Sequence, residues 1–181
     1  MFAQIFTLLL EVVVNLLAGA CLLRLYMQYQ RVPFQHPLGR FVIAVSNWIV
    51  LPLRKVLPRS RIDLASLLGA WLIVLAEFTI LWALWGRSGY GVVAMNATFS
   101  LIRMAIWGFI LMMIVYAIIS WVRSESMAYD ILDHLCSPLL RPFRRLLPMV
   151  GGVDLSPLAL LVALQIALIL LGGLQQEVLS W

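Results

Sequence analysis

Two stretches decide how this chain is built: Pro52-Leu53-Arg54-Lys55-Val56-Leu57-Pro58 and Pro142-Phe143-Arg144-Arg145-Leu146-Leu147-Pro148. Each sets a basic pair among apolar residues between two prolines, and a shift of 90 residues superposes them. One further residue brings Ile62-Asp63-Leu64 onto Val153-Asp154-Leu155. Working outward, each stretch is preceded by a hydrophobic span and an amphipathic segment and is followed by a second hydrophobic span. The chain therefore reads as a tandem duplication, repeat one over about 1–90 and repeat two over about 91–181, within a single membrane domain covering 1–181.

Composition supports that placement. With 64% hydrophobic and 12% charged residues, the chain has more apolar surface than a soluble domain of 181 residues can bury. Four runs approach or exceed the roughly 20 apolar residues that cross a hydrocarbon core, at about 2–23, 64–85, 92–122 and 155–174. The first reads as a span and not as a cleaved leader, because no basic residue precedes it and Glu11 interrupts it. Cys21 and Cys136 read as small buried side chains, not as a disulfide.

Arginine and lysine set the orientation. Arg31, Arg40, Arg54, Lys55, Arg59 and Arg61 follow span one, and Arg123, Arg141, Arg144 and Arg145 follow span three, whereas the loop after span two holds only Arg87. Basic residues in short loops are retained on the cytoplasmic side. Both long connections are thus expected in the cytoplasm, both termini in the periplasm, and the two repeats in parallel about an axis along the membrane normal. The net charge of +5 points to anionic phospholipid headgroups at the span ends and not to nucleic acid, since aromatic and basic residues do not interleave.

Between the spans of each repeat, apolar residues recur at helical spacing: Leu38, Phe41, Val42, Val45 and Ile49, then Ala128, Ile131, Leu132, Leu135 and Leu139. These segments are too short to span, so each is predicted as an amphipathic helix in the cytoplasmic interface, with a re-entrant half-helix as the alternative. Proline is expected to end them, at Pro52 and at Pro138 followed by Pro142, because it lacks the backbone donor a continuing helix uses. Arg54, Lys55, Arg144 and Arg145 then form two headgroup-facing basic clusters. Asp63 and Asp154 open the following spans, as helix caps or as salt-bridge partners of the nearby arginines.

Charges inside the spans are costly and mark candidate sites. Glu11, Asn15, Glu77 and Arg103 form an expected polar cluster in the outer half, with Arg103 beside one of the glutamates; an ion pair that fixes packing, a cation or proton site, and a partner contact all fit it. Arg24 is expected to snorkel to the interface, and Gln165 to bond between helices. His134 with Asp130 and Asp133 is the nearest approach to a metal-ligand set, and neither a metal site nor any cofactor is expected. No phosphate-binding glycine loop, nucleophile elbow or HExxH helix occurs, so no catalytic residue is assigned and an enzyme is not expected.

The run Pro138-Leu-Leu-Arg-Pro142-Phe-Arg-Arg145-Leu-Leu-Pro148, followed by Gly151-Gly152-Val153-Asp154-Leu155-Ser156-Pro157, resembles the YggT (YlmG) family of bacterial and plastid membrane proteins. The likeness covers essentially the whole chain. The first copy departs from the pattern, with Trp48 in place of Pro138 and Arg59-Ser60-Arg61 in place of the Gly-Gly turn. The resemblance implies links to envelope and division functions, to osmotic or ionic tolerance, and in plastid relatives to cofactor assembly on a b-type cytochrome or to nucleoid organisation; it supplies no catalytic residues. The expected fold class is an all-α membrane protein of four transmembrane and two interfacial helices. The expected function is that of a non-catalytic organising or assembly factor of the inner membrane, with cation or proton transport and anionic-lipid binding as alternatives. Its expected partners are the bilayer, an unidentified membrane protein and, as an option, further copies of itself.

Overall fold

The computed structural model describes residues 2–57, 63–85, 90–122, 127–146 and 154–179. All the regular structure among them is helical: α1 (Phe2–Tyr29), α2 (Pro37–Val56), α3 (Leu64–Trp85), α4 (Tyr90–Val122), α5 (Met127–Leu146) and α6 (Ser156–Leu179). Helices α1, α3, α4 and α6 contain the four segments long and apolar enough to cross a membrane, at Phe2–Tyr29, Leu64–Leu84, Gly91–Ser120 and Ser156–Val178. Pro58, Pro148 and the Gly151-Gly152 turn lie outside the described residues.

The proline expectation is corrected. Helix α2 runs through Pro52 to Val56, and α5 runs through both Pro138 and Pro142 to Leu146. A proline removes one donor, but the residues after it keep theirs, and Leu57 N donates to Leu53 O at 3.0 Å beyond Pro52. The basic pairs consequently sit in the last helical turns, where cations oppose the negative end of the helix dipole.

The chain divides into two compact units, residues 1–105 with 179–181, and residues 106–178. In the first, α1, α2 and α3 pack on one another. Small residues permit the approach: Ala18 and Cys21 of α1, Ala65 and Ala70 of α3, and Ala97 from the first part of α4 share one core with Val14, Val50 and Val74. Gly69 lets α2 close on α3, because a Cβ there would stand 2.8 Å from Ile49 Cγ2.

The ends of α1 and α2 are fixed by local chemistry. Beyond α1, Val32 N reaches back to Met27 O while Arg31 takes a left-handed φ of 57°, the conformation usually given to glycine. His36 caps α2, its Nδ1 accepting from Gly39 N at 3.1 Å. Gly39 itself is required, since a Cβ would meet Phe34 Cα at 2.7 Å.

The buried row of α2 is Gly39, Val42, Ser46 and Val50, rotated from the predicted stripe so that Leu38 and Phe41 stay exposed. The opposite row, Phe41, Ala44, Trp48, Leu51 and Lys55, is exposed along its length. In the second unit, Met113 and Tyr116 of α4, Cys136 and Leu140 of α5, and Leu160 of α6 form the core. The outward row of α5 is polar, comprising Asp130, His134, Arg141 and Arg145.

Candidate functional site: two arginine–aspartate clamps

Each unit closes on an arginine from the last turn of its shorter helix and the aspartate that opens the next span. In the first unit, Arg54 Nη2 donates to Asp63 Oδ2 at 2.5 Å and to Gln28 Oε1 of α1 at 2.9 Å. The Asp63 carbonyl accepts from Ser66 N and Leu67 N as α3 begins, and its carboxylate accepts from Ser66 Oγ at 2.6 Å. Arg24 joins from α1. Its Nη1 donates to Ser46 Oγ at 2.8 Å and Asn47 Oδ1 at 2.9 Å, and its Nε lies 3.9 Å from Asp63 Oδ2. Three helices are thus tied through one carboxylate.

Arg24 does not snorkel. It is 5% exposed and turned inward, because Ser46, Asn47 and Asp63 offer its guanidinium more acceptors than a lipid-facing path would. Burial alone would raise the Asp63 carboxyl; the hydrogen bonds from Arg54 and Ser66, with the charges of Arg54 and Arg24, outweigh it and hold the group below the ordinary carboxylate range.

The second clamp uses different supports. Arg144 Nε donates to Asp154 Oδ2 at 2.9 Å, and Arg144 Nη2 donates to Tyr116 Oη at 2.8 Å. The Tyr116 hydroxyl donates in turn to Asp133 Oδ1 at 2.9 Å, and its ring stacks on Tyr129 with centroids 5.9 Å apart. Asp154 Oδ1 also accepts from Ser156 N at 2.9 Å, an aspartate cap on α6. Burial would raise Asp154 as well, but the bonds from Ser156 and Arg144 bring it below its ordinary value. For Arg144, burial pulls downward and the bond to Asp154 prevails, leaving it raised.

Lys55 and Arg145, the other members of the basic pairs, are exposed. Of the intramembrane group, Glu11 and Asn15 are exposed on α1, Arg103 is exposed on α4, and Glu77 of α3 is buried at 8% exposure within electrostatic reach of Glu11. Gln165 is exposed on α6. Among the described residues no set of three His, Cys, Asp or Glu side chains is arranged to hold a metal. Asp133, considered with His134 as a metal ligand, accepts from the Tyr116 hydroxyl.

Sequence reasoning missed Gln28, Ser46, Asn47 and Tyr116, and gave Arg24 and Asp133 other roles. Two signals were present. Ser46-Asn47 interrupts an apolar segment about two helical turns before Arg54, and the 90-residue shift carries Tyr26 onto Tyr116 near the ends of spans one and three.

Fold and site together define an all-helical membrane protein whose two short helices are each pinned to the following span by an arginine–aspartate pair. The model of the CCB3/YggT family matches residues 3–84 and 95–175, and the chain belongs to that family. It is 36% identical to the uncharacterized protein YggT of Escherichia coli (strain K12) over 169 residues, covering 88% of this chain and 85% of that one. A Vibrio alginolyticus protein, named only for lying in the proC 3′ region, is 30% identical over 174 residues, 92% of each chain. An uncharacterized Haemophilus influenzae protein is 29% identical over 169 residues, 90% of this chain and 91% of its own. No solved structure matches.

Proposed function

We propose that the protein is a non-catalytic organising or assembly factor of the bacterial inner membrane, crossing it four times with both termini in the periplasm. The observation that carries this reading is the split character of α2. Its inner row is locked into the first unit by Arg24 and Arg54, while its outer row offers Phe41, Trp48 and Leu51, each at least half exposed. A rigidly held helix with an aromatic outer face suits recognition of another apolar surface. The two segments matched by the family model support reading the chain as two repeats, with α2 and α5 as their interfacial helices. The polar outer row of α5 gives those repeats different tasks.

Affinity purification from native membranes tests this reading, comparing the wild type with a Phe41→Ala, Trp48→Ala, Leu51→Ala triple variant. A partner retained by the first and lost from the folded triple variant supports it. Identical recovery from both contradicts it. A reporter fused to the C-terminus checks the orientation, and cytoplasmic activity there would reverse it. Transport of a proton or monovalent cation, with a role in osmotic or ionic tolerance, is the competing reading. It is favoured by Glu77, buried in a span within reach of Glu11.

A further inference from the structure

The two clamps differ in charge balance. In the first, among the described residues, Arg24 and Arg54 share the single carboxylate of Asp63, with Lys55 exposed next to Arg54. In the second, Arg144 meets Asp154 directly and Asp133 through the Tyr116 hydroxyl, so one clamped arginine faces two carboxylates, with Arg145 exposed next to it. Arg24 Nη1 donates to the neutral oxygens of Ser46 and Asn47, which satisfy geometry without cancelling charge. The carboxylate that could cancel it is shared with Arg54, and the C-terminus of α2 adds only a partial negative charge. A buried guanidinium of this kind favours a further anion nearby.

The surroundings indicate where that anion enters. The Arg54 side chain is 40% exposed, and Lys55 is exposed beside it. Val56, next to Lys55, is 84% exposed. A phosphate group fits the guanidinium fork and the ammonium, and the apolar Val56 beside them fits an acyl chain. We infer that the first clamp, and not the second, binds the phosphate of an anionic phospholipid at Arg54 and Lys55, beside the charge of Arg24. This site lies in the last turn of α2, beyond the Phe41–Leu51 face of the assembly reading, and it differs from the symmetrical pair of basic clusters expected from the sequence.

The test uses full-length protein and native mass spectrometry with phosphatidylglycerol, phosphatidylcholine as the uncharged control, and inorganic phosphate as competitor. Each cation that lies against the bound headgroup contributes about fivefold in anionic-lipid affinity. Lys55→Gln is expected to lower phosphatidylglycerol retention by about that factor, while the matching Arg145→Gln leaves it unchanged. Asn47→Asp is the sharper variant. It preserves the contact at 2.9 Å, gives Arg24 a carboxylate of its own, and is expected to reduce phosphatidylglycerol binding about fivefold without loss of thermal stability. A purely structural role for Arg24 predicts unchanged lipid binding in that variant and overturns the inference. Equal losses from Lys55→Gln and Arg145→Gln, or retention of phosphatidylcholine as strong as that of phosphatidylglycerol, overturn it too. Displacement of the lipid by millimolar inorganic phosphate reassigns the site to a soluble phosphate, and persistence of the lipid supports the inference.

Discussion

Asp63→Asn removes the one carboxylate shared by Arg24 and Arg54 while keeping the side chain's size. The Asp63 and Arg24 side chains are 5% and 6% exposed, so water cannot take the carboxylate's place. Loss of one partner from a buried pair costs about 3–5 kcal/mol. The equivalent change, Asp154→Asn, acts on a pair whose side chains are 38% and 29% exposed, where about 0.2–1 kcal/mol is typical. Asparagine can also retain the cap on Ser156. The two substitutions, alike in sequence, should therefore differ by roughly 3 kcal/mol. Denaturant titration in mixed micelles, followed by tryptophan fluorescence, measures both. Adding Arg24→Met to Asp63→Asn should recover part of the loss, since it removes a buried charge left without its counterion. Equal costs for Asp63→Asn and Asp154→Asn, or no recovery in the double variant, would refute the argument from burial.

Other outcomes follow from the same geometry. Because Asp63 and Asp154 are held below the unfolded value of about 3.9, their stabilisation is complete above that value and is lost as pH falls through the depressed folded values. Acid titration of stability should show this loss, and Asp63→Asn should flatten it. Cys136, fully buried and pushed up to about 12, chiefly by burial, should resist maleimide at neutral pH until the protein is unfolded, as mass measurement would show. Gly39→Ala should destabilise by about 1–3 kcal/mol in the same denaturant titration, because the backbone of Phe34 occupies the space a Cβ needs.

Much of the fold was legible because hydrophobic length acts over whole segments. The four long apolar helices and the two shorter ones follow from patterns that no single contact can overturn. The helix ends were less legible. Pro52, Pro138 and Pro142 were read as terminators, yet one missing donor does not prevent the next residues from bonding, and α2 and α5 continue. The site was half legible. Salt bridges from the basic pairs to Asp63 and Asp154 were an open alternative to capping, and in Asp154 both occur together.

Arg24 was misread because a lone arginine near a span end is usually drawn outward. Only the fold brings Ser46, Asn47 and Asp63 around it, from sequence distances that helical spacing cannot connect. The rotation of α2 has the same origin. Directing Ser46 inward to Arg24 turns Phe41 and Trp48 outward, so a polar contact determines which apolar face is left exposed.

That exposed face tests the central claim most directly. A photo-crosslinking residue placed at Trp48 in native membranes should yield a protein adduct of discrete mass, while the same probe at Ile169 of α6, 74% exposed within a span, should label lipid. Lipid adducts alone at Trp48, matching those at Ile169, would contradict the assignment of α2 as the surface through which this protein organises a partner.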